Sequence, residues 1–183
     1  LVRMSGHKVT DEQKEVKVNN IVGHMDCKID GEVVDVKTAS SFAFKKFEQG
    51  RLSDDDPFGY LGQLSGYEES EGTSKGGFLV INKESGQLCL HRPEELDKPN
   101  IKDKIDNLIS CLDLDERPEK CYHPVPEGKK GNYKLPKPCA WCKYKFECHD
   151  DANEGKGLRI FKYANGLVYL THVAVEPQVE EIL

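Results

Sequence analysis

GHMDCKIDGEVVDVKTAS, residues 23–40, sets two carboxylates and a lysine into runs that otherwise read as core strands. Asp30-Gly31 is a tight-turn dipeptide, because both residues tolerate positive φ, so the flanking runs predict a hairpin. Counted outward from that turn, Asp26 and Asp35 are equally far away, which makes them cross-strand neighbours. Side chains alternate faces along a strand, so Asp35 and Lys37 point one way while Val34 and Val36 point the other. Two carboxylates that close repel, and burying them unpaired is costly. A divalent cation removes the conflict: oxygen ligands on paired strands suit Mg²⁺ or Mn²⁺, with the backbone carbonyl of Val36 as a further ligand. Lys37 can then position and help deprotonate an attacking water, or offset charge on a pentavalent phosphate as the ammonium. The set suits phosphodiester hydrolysis. The plainer reading is the solvent face of an antiparallel sheet, where alternating charge is ordinary.

Upstream, EVKVNN and IVGHMDCKID are strand-like runs divided by Asn19-Asn20, so three antiparallel strands in a row are expected, after a helix end over residues 1–6 stopped by Gly6. Downstream, SSFAFKKFEQG has Phe44 and Phe47 at helical spacing, with Ser40 or Ser41 to cap its start and Gly50 its end. The acidic loop SDDDPFG leads into YLGQLSGYEES, a second helix. GGFLVINKESGQLCLHR reads as a strand pair turning near Ser85-Gly86, and IKDKIDNLISCLDL as a third helix with Ile101, Ile105 and Leu108 on one face. Residues 117–151 are rich in Pro, Gly, Lys and Cys with little periodicity, and LRIFKYANGLVYLTHVAV predicts a hairpin about Asn165-Gly166. The expected organisation is an α/β (α+β) core over 1–116, a Cys-rich segment over 117–151, and a hairpin over 152–183 packing on the core.

With 37% hydrophobic and 32% charged residues in 183, the chain reads as soluble and able to bury a core. No apolar run approaches a membrane span and no leader is visible, so an intracellular, cytoplasmic protein without membrane contact is expected. Leu1 in place of Met suggests that a preceding part has been removed. A net charge of −6 argues against a passive nucleic-acid coat, but not against an enzyme whose carboxylates meet phosphates through metal ions. Lys45-Lys46 and the lysines at 129, 130, 134, 137, 143 and 145 are local basic clusters, the first of which also fits a solvated helix face.

Gln63 and Tyr67, four apart, share one face of the second helix. They can hydrogen-bond a phosphate, orient Lys37 or stack on a base; alone, a core tyrosine beside a half-exposed glutamine explains them as well. In order, G-x-x-D at Gly23–Asp26, D-x-K at Asp35–Lys37 and Q-x-x-x-Y at Gln63–Tyr67 resemble the PD-(D/E)XK nuclease superfamily, in its RecB-like exonuclease branch that includes phage-type exonucleases. The resemblance covers about residues 7–91. It implies a restriction-endonuclease-like core with a central mixed sheet flanked by helices, and Mg²⁺- or Mn²⁺-dependent DNA cleavage. It implies Asp26 and Asp35 as metal ligands, Lys37 as catalytic lysine, and Gln63 and Tyr67 as accessory residues. Members carry a further histidine ligand on a helix upstream of G-x-x-D; His7 stands past a helix end, so a histidine before Leu1 is expected, with His7 as the other candidate. His24 shares a strand face with Asp26 and could reach the site, or be an ordinary sheet histidine.

Seven cysteines without a leader point away from a disulfide framework and toward metal binding for any clustered set. CAWCKYKFEC holds Cys139, Cys142 and Cys148, and Cys121 is the natural fourth ligand, with Cys111, His123 or His149 as alternatives. Zinc is the general default for four thiolates. The C-x2-C-x5-C run is similar to that of AddB-type and CRISPR-associated RecB-like nucleases, which implies a [4Fe-4S] cluster instead, although in those relatives the first cysteine precedes the nuclease core. Cys27, Cys89 and Cys111 read as buried thiols.

The residues and the resemblance together lead to the expectation of a metal-dependent DNA exonuclease; the resemblance implies a recombination, repair or phage type in a bacterial or phage-infected cell, acting on single strands or duplex ends beside a helicase or strand-annealing protein. Lys45, Lys46, Tyr67 and the lysines near the cysteines would guide the strand. The alternatives are a non-catalytic nucleic-acid-binding module on the same fold and a structure-specific endonuclease of the same superfamily.

Overall fold

Positive φ at Asn19 (50°), Asp30 (52°) and Gly31 (89°) closes two tight turns, and the strands they join carry the candidate residues. The computed structural model describes residues 2–182, which fall into two units, Leu1–Arg117 and Pro118–Leu183. In the first unit the strands are β1 (Val9–Thr10), β2 (Lys14–Val18), β3 (Ile21–Met25), β4 (Cys27–Ile29) and β5 (Glu32–Ala39). Helices α1 (Ser41–Glu48) and α2 (Tyr60–Glu71) follow, then β6 (Gly76–Asn82), β7 (Leu88–His91) and α3 (Ile101–Asp113). The central sheet has the order β1-β4-β5-β6-β7; β5 and β6 run parallel and the other neighbours antiparallel. A parallel pair needs a long crossover, and α1 with α2 supplies it. The unit is therefore mixed α/β, a central mixed sheet flanked by helices.

Along β5, Val33, Asp35 and Ala39 are buried on one face, where Phe44, Phe47, Leu61, Leu64 and Phe78 complete the core. Val36 and Thr38 on the other face are exposed. Ser40 caps α1 by accepting from the Ala43 amide, as its position before an apolar run predicts. Asp56 in the acidic loop anchors α2: its carboxylate accepts from the amides of Tyr60 (3.0 Å) and Leu61 (2.8 Å). Farther along α2, Glu68 is buried against Lys98, whose Nζ reaches both carboxylate oxygens at 2.8 Å, and Glu68 also accepts from the Gly76 amide at 2.6 Å. At the last turn, Glu71 receives Lys14 from β2 and Lys28 from β4, which hold its carboxyl below the usual range. Three carboxylates thus fix α2 over the sheet.

The second unit contains β8 (Val125–Glu127), β9 (Asn132–Lys134), the short helices α4 (Lys137–Trp141), α5 (Lys145–Cys148) and α6 (Ala152–Gly155), and β10 (Arg159–Tyr163), β11 (Gly166–His172) and β12 (Glu181–Ile182). They form an antiparallel sheet in the order β12-β10-β11-β9-β8, with Phe161, Leu170 and Leu135 buried. Buried Asn132 ties the return loop to the sheet, accepting from the amides of Ala174 and Val175 and donating to the Val175 carbonyl.

Three expectations need correction. The three-strand meander is two hairpins: β3 pairs with β2, β4 pairs with β5, and the chain changes partners at Asp26. Residues 3–5 form one 3₁₀ turn stopped by Gly6 at φ 92°, not the end of an α-helix, and Leu1 lies outside the described residues. The aperiodic stretch 117–151 contains two strands and two short helices, and Cys121, Cys139, Cys142 and Cys148 belong to one unit with the last hairpin. Among the described residues no helix is long and apolar enough to cross a membrane.

Candidate active site

Asp26 sits where two hairpin registers meet. The β4–β5 pairing, Cys27 opposite Val34 and Lys28 opposite Val33, continues outward to set Asp26 opposite Asp35. The β2–β3 pairing, Lys14 opposite Met25, continues to set it opposite Gln13. Both continuations are realised in hydrogen bonds. Asp26 Oδ2 accepts from the Val36 amide at 2.7 Å, Oδ1 accepts from Gln13 Nε2 at 3.1 Å, and the Asp26 carbonyl accepts from the Gln13 amide at 3.0 Å. The N–H and C=O of one strand residue face the same sheet edge, so the Val36 carbonyl also faces the gap where β4 has ended.

Asp35 is only 2% exposed. Burial pushes its carboxyl up to about 6; Lys37 opposes that rise, whereas the neighbouring charge of Asp26 reinforces it. Lys37 Nζ stands 2.7 Å from Asp35 Oδ2, yet this buried oxygen has no hydrogen-bond partner among the described residues. The short distance without hydrogen-bond alignment makes the pair ionic, and it leaves one carboxylate oxygen with unspent acceptor capacity. That orphaned oxygen, beside a second carboxylate and a carbonyl, fits a small divalent cation.

The same Lys37 Nζ donates to Gln63 Oε1 at 2.8 Å and lies 4.8 Å from the centroid of the Tyr60 ring. Gln63 Nε2 in turn donates to the Tyr67 hydroxyl at 2.9 Å. Tyr67 is buried, and that burial pushes its phenol up. The G-x-x-D glycine has a packing reason: a Cβ at Gly23 would come within 3.3 Å of Tyr67 Cε1. Asp26, Asp35, Lys37, Gln63 and Tyr67 are thus brought together.

Other expected residues lie elsewhere. His7 is exposed and its Nδ1 is 2.6 Å from Asp30 Oδ2 at the hairpin tip, so its partner is neither Asp26 nor Asp35. His24 faces Glu15 across β2–β3 at 3.9 Å. Lys46 pairs with the Asp55 carboxylate and donates to its carbonyl at 3.2 Å, while Lys45 is exposed. Two contributors were missed. Gln13 was detectable, because it and Asp26 are equally far from the Asn19-Asn20 turn. Tyr60 was detectable as the residue one helical turn before Gln63.

In the second unit Cys121, Cys139, Cys142 and Cys148 line one cavity of about 180 Å³, with Lys120, Lys145 and His149 beside them. Burial pushes the Cys139 thiol up, and the nearby charges of Cys148, Cys121 and Cys142 push it further. His149 is 2% exposed, and its Nε2 has no hydrogen-bond partner among the described residues. Burial holds its imidazole below the usual range, with Lys120 adding to the effect. Cys111 belongs to α3 of the first unit, and His123 is exposed. Among the described residues, no three His, Cys, Asp or Glu side chains are grouped to hold a metal as they stand. Compared with known protein families and with curated proteins, the chain matches none.

Proposed function

We propose that this chain is a divalent-metal-dependent deoxyribonuclease with a restriction-endonuclease-like core, of the RecB-like PD-(D/E)XK kind, acting on DNA ends. The observation that carries the reading is the shared lysine: Lys37 contacts Asp35 at 2.7 Å and Gln63 at 2.8 Å, joining the D-x-K and Q-x-x-x-Y motifs at one point. A structural sheet face would leave these residues apart or exposed. Here the acid is buried beside another acid, an arrangement typical of functional sites.

The carboxylates of Asp26 and Asp35 and the Val36 carbonyl would hold a Mg²⁺ or Mn²⁺ ion, which supplies a Lewis acid for water and phosphate. Lys37 holds its amine beside Asp35, where it can orient the attacking water and offset phosphate charge. Gln63 and Tyr67 keep that amine in place, and Gln13 fixes Asp26. The four thiols and their small cavity support a second metal site in Pro118–Leu183, of [4Fe-4S] or zinc type, which would pin a segment poor in core residues.

The test is incubation of end-labelled linear and circular DNA, single- and double-stranded, with Mg²⁺ or Mn²⁺, comparing wild type with Asp35→Ala and Lys37→Ala. Metal-dependent shortening of linear substrates by wild type alone is expected. Equal loss in all three proteins would sink the assignment; cleavage of circles would move it to an endonuclease.

A further inference from the structure

We infer that the outer surface of the cysteine segment is a stacking platform for single-stranded nucleic acid, separate from the carboxylate site. The chain as a whole carries a net charge of −6, yet residues 129–145 contain six lysines and no acidic residue. Positive charge is therefore concentrated in this stretch of the unit that lacks the carboxylate pair, with one of the six, Lys134, bound by Glu127. Within it, α4 and α5 turn Cys139, Cys142 and Cys148 to the cavity and leave the intervening aromatics outside. Trp141 is 84% exposed, Tyr144 56% and Phe146 50%. Three large rings in six residues, all left in water, form the kind of patch that marks a binding surface.

The lysines are arranged on these rings. Lys143 Nζ lies 4.7 Å from the Tyr144 centroid, and Lys145 Nζ lies 5.2 Å from Phe146 and 4.9 Å from Tyr169. π-faces beside cations match what an unpaired strand offers: bare base faces and regularly spaced phosphates. A duplex hides its base faces, so the rings favour single strands. Aromatic and basic side chains also suit a lipid headgroup surface, but α4 and α5, of five and four residues, offer no continuous amphipathic helix face to lie in it.

Trp141 is the chain's single tryptophan, so emission excited selectively at tryptophan reports this surface alone. The experiment titrates the full chain, without added divalent metal, with a dT oligonucleotide, the matching duplex, and anionic phosphatidylserine vesicles. Saturable quenching by the oligonucleotide is expected, stronger than by duplex. Tyr144→Ala and Phe146→Ala should each weaken binding about 5- to 150-fold, the range for one lost base stack. Lys143→Gln should lower the slope of log affinity on log salt by about 0.7. Oligonucleotide anisotropy with Trp141→Phe checks the affinity without the reporter. Absence of quenching by dT, unchanged affinity in both aromatic variants, or quenching by vesicles alone would overturn the proposal. Because the readout is binding without metal, it is independent of whether Asp26 and Asp35 cut.

Discussion

The Asp26 carboxylate accepts the Val36 amide at 2.7 Å, so a side chain takes the ladder position left where β4 stops. One residue thereby ends a strand, caps its neighbour and presents an acid to Asp35. Structure and chemistry are coupled at Asp26, and substitutions can separate them.

Asp26→Asn keeps an acceptor for Val36, whereas Asp26→Ala leaves that amide without one. Chemical denaturation should place Asn within about 1 kcal/mol of wild type and Ala about 1–3 kcal/mol below it, the cost of an unsatisfied polar group. Both should lose metal-dependent cleavage. Equal stability of the two variants would show that the Val36 bond contributes nothing.

Asp35 gives a pH signature in metal-free protein. Its carboxyl is raised to about 6 in the fold, so the stability it contributes is fully present below the unfolded value near 4 and is lost as pH rises through about 6. Asp35→Asn removes the titration. In EDTA the variant should gain on wild type between about pH 4 and 6, reaching up to about 3 kcal/mol at neutral pH from a shift of roughly two units. Adding Mg²⁺ should raise the melting temperature of wild type and not of the variant. Parallel stability profiles across that range would refute the buried-acid reading.

Gly23 and Tyr67 form a second separable pair. A methyl at Gly23 presses on the Tyr67 ring at 3.3 Å, so Gly23→Ala should cost about 1–3 kcal/mol by overpacking. It should also slow single-turnover cleavage by shifting Tyr67 from Gln63. Combined with Tyr67→Leu, its stability cost should shrink, because the obstructing ring is gone. Additive costs in the double variant would assign the glycine another role.

How much of this was legible depended on whether a feature is local. Asn19 and Asp30-Gly31 announce their turns through positive φ, and counting residues outward from Asp30-Gly31 is enough to pair Asp26 with Asp35. The partner exchange at Asp26 was not legible. Met25 and Cys27 on either side are both buried, as in an uninterrupted strand, and the break depends on which chain lies opposite. In the second unit, β8 and β9 have three residues each and α5 has four, too short for any period to register. Their order comes from distant partners such as β11 and from Asn132. The pairing of Lys46 was not legible either: its sequence neighbours suggest an unpaired basic face, but Asp55 on the following loop pairs with it.

The thiol cavity permits a test of which side chains are ligands. Cys121, Cys139, Cys142 and Cys148 all line it, and the charges of the other three act on Cys139, so the four thiols form one electrostatic group. His149 lines it too and is the one buried side chain there with an unpartnered ring nitrogen among the described residues. A thiolate set of four is complete for zinc or for a cubane cluster, which leaves His149 as packing. Each Cys→Ser variant should therefore purify with the metal lost, whereas His149→Phe keeps it. Metal analysis reads the stoichiometry, and absorbance near about 400 nm separates thiolate-bound iron–sulfur from colourless zinc. Thiolate ligands must shed protons that Cys139 holds firmly when empty, so loading should release protons and weaken as pH falls. Retention of metal by Cys121→Ser together with loss in His149→Phe would make the histidine the fourth ligand. That set, three thiolates and one imidazole, is a common structural zinc site, and the absorbance then tells whether zinc fills it.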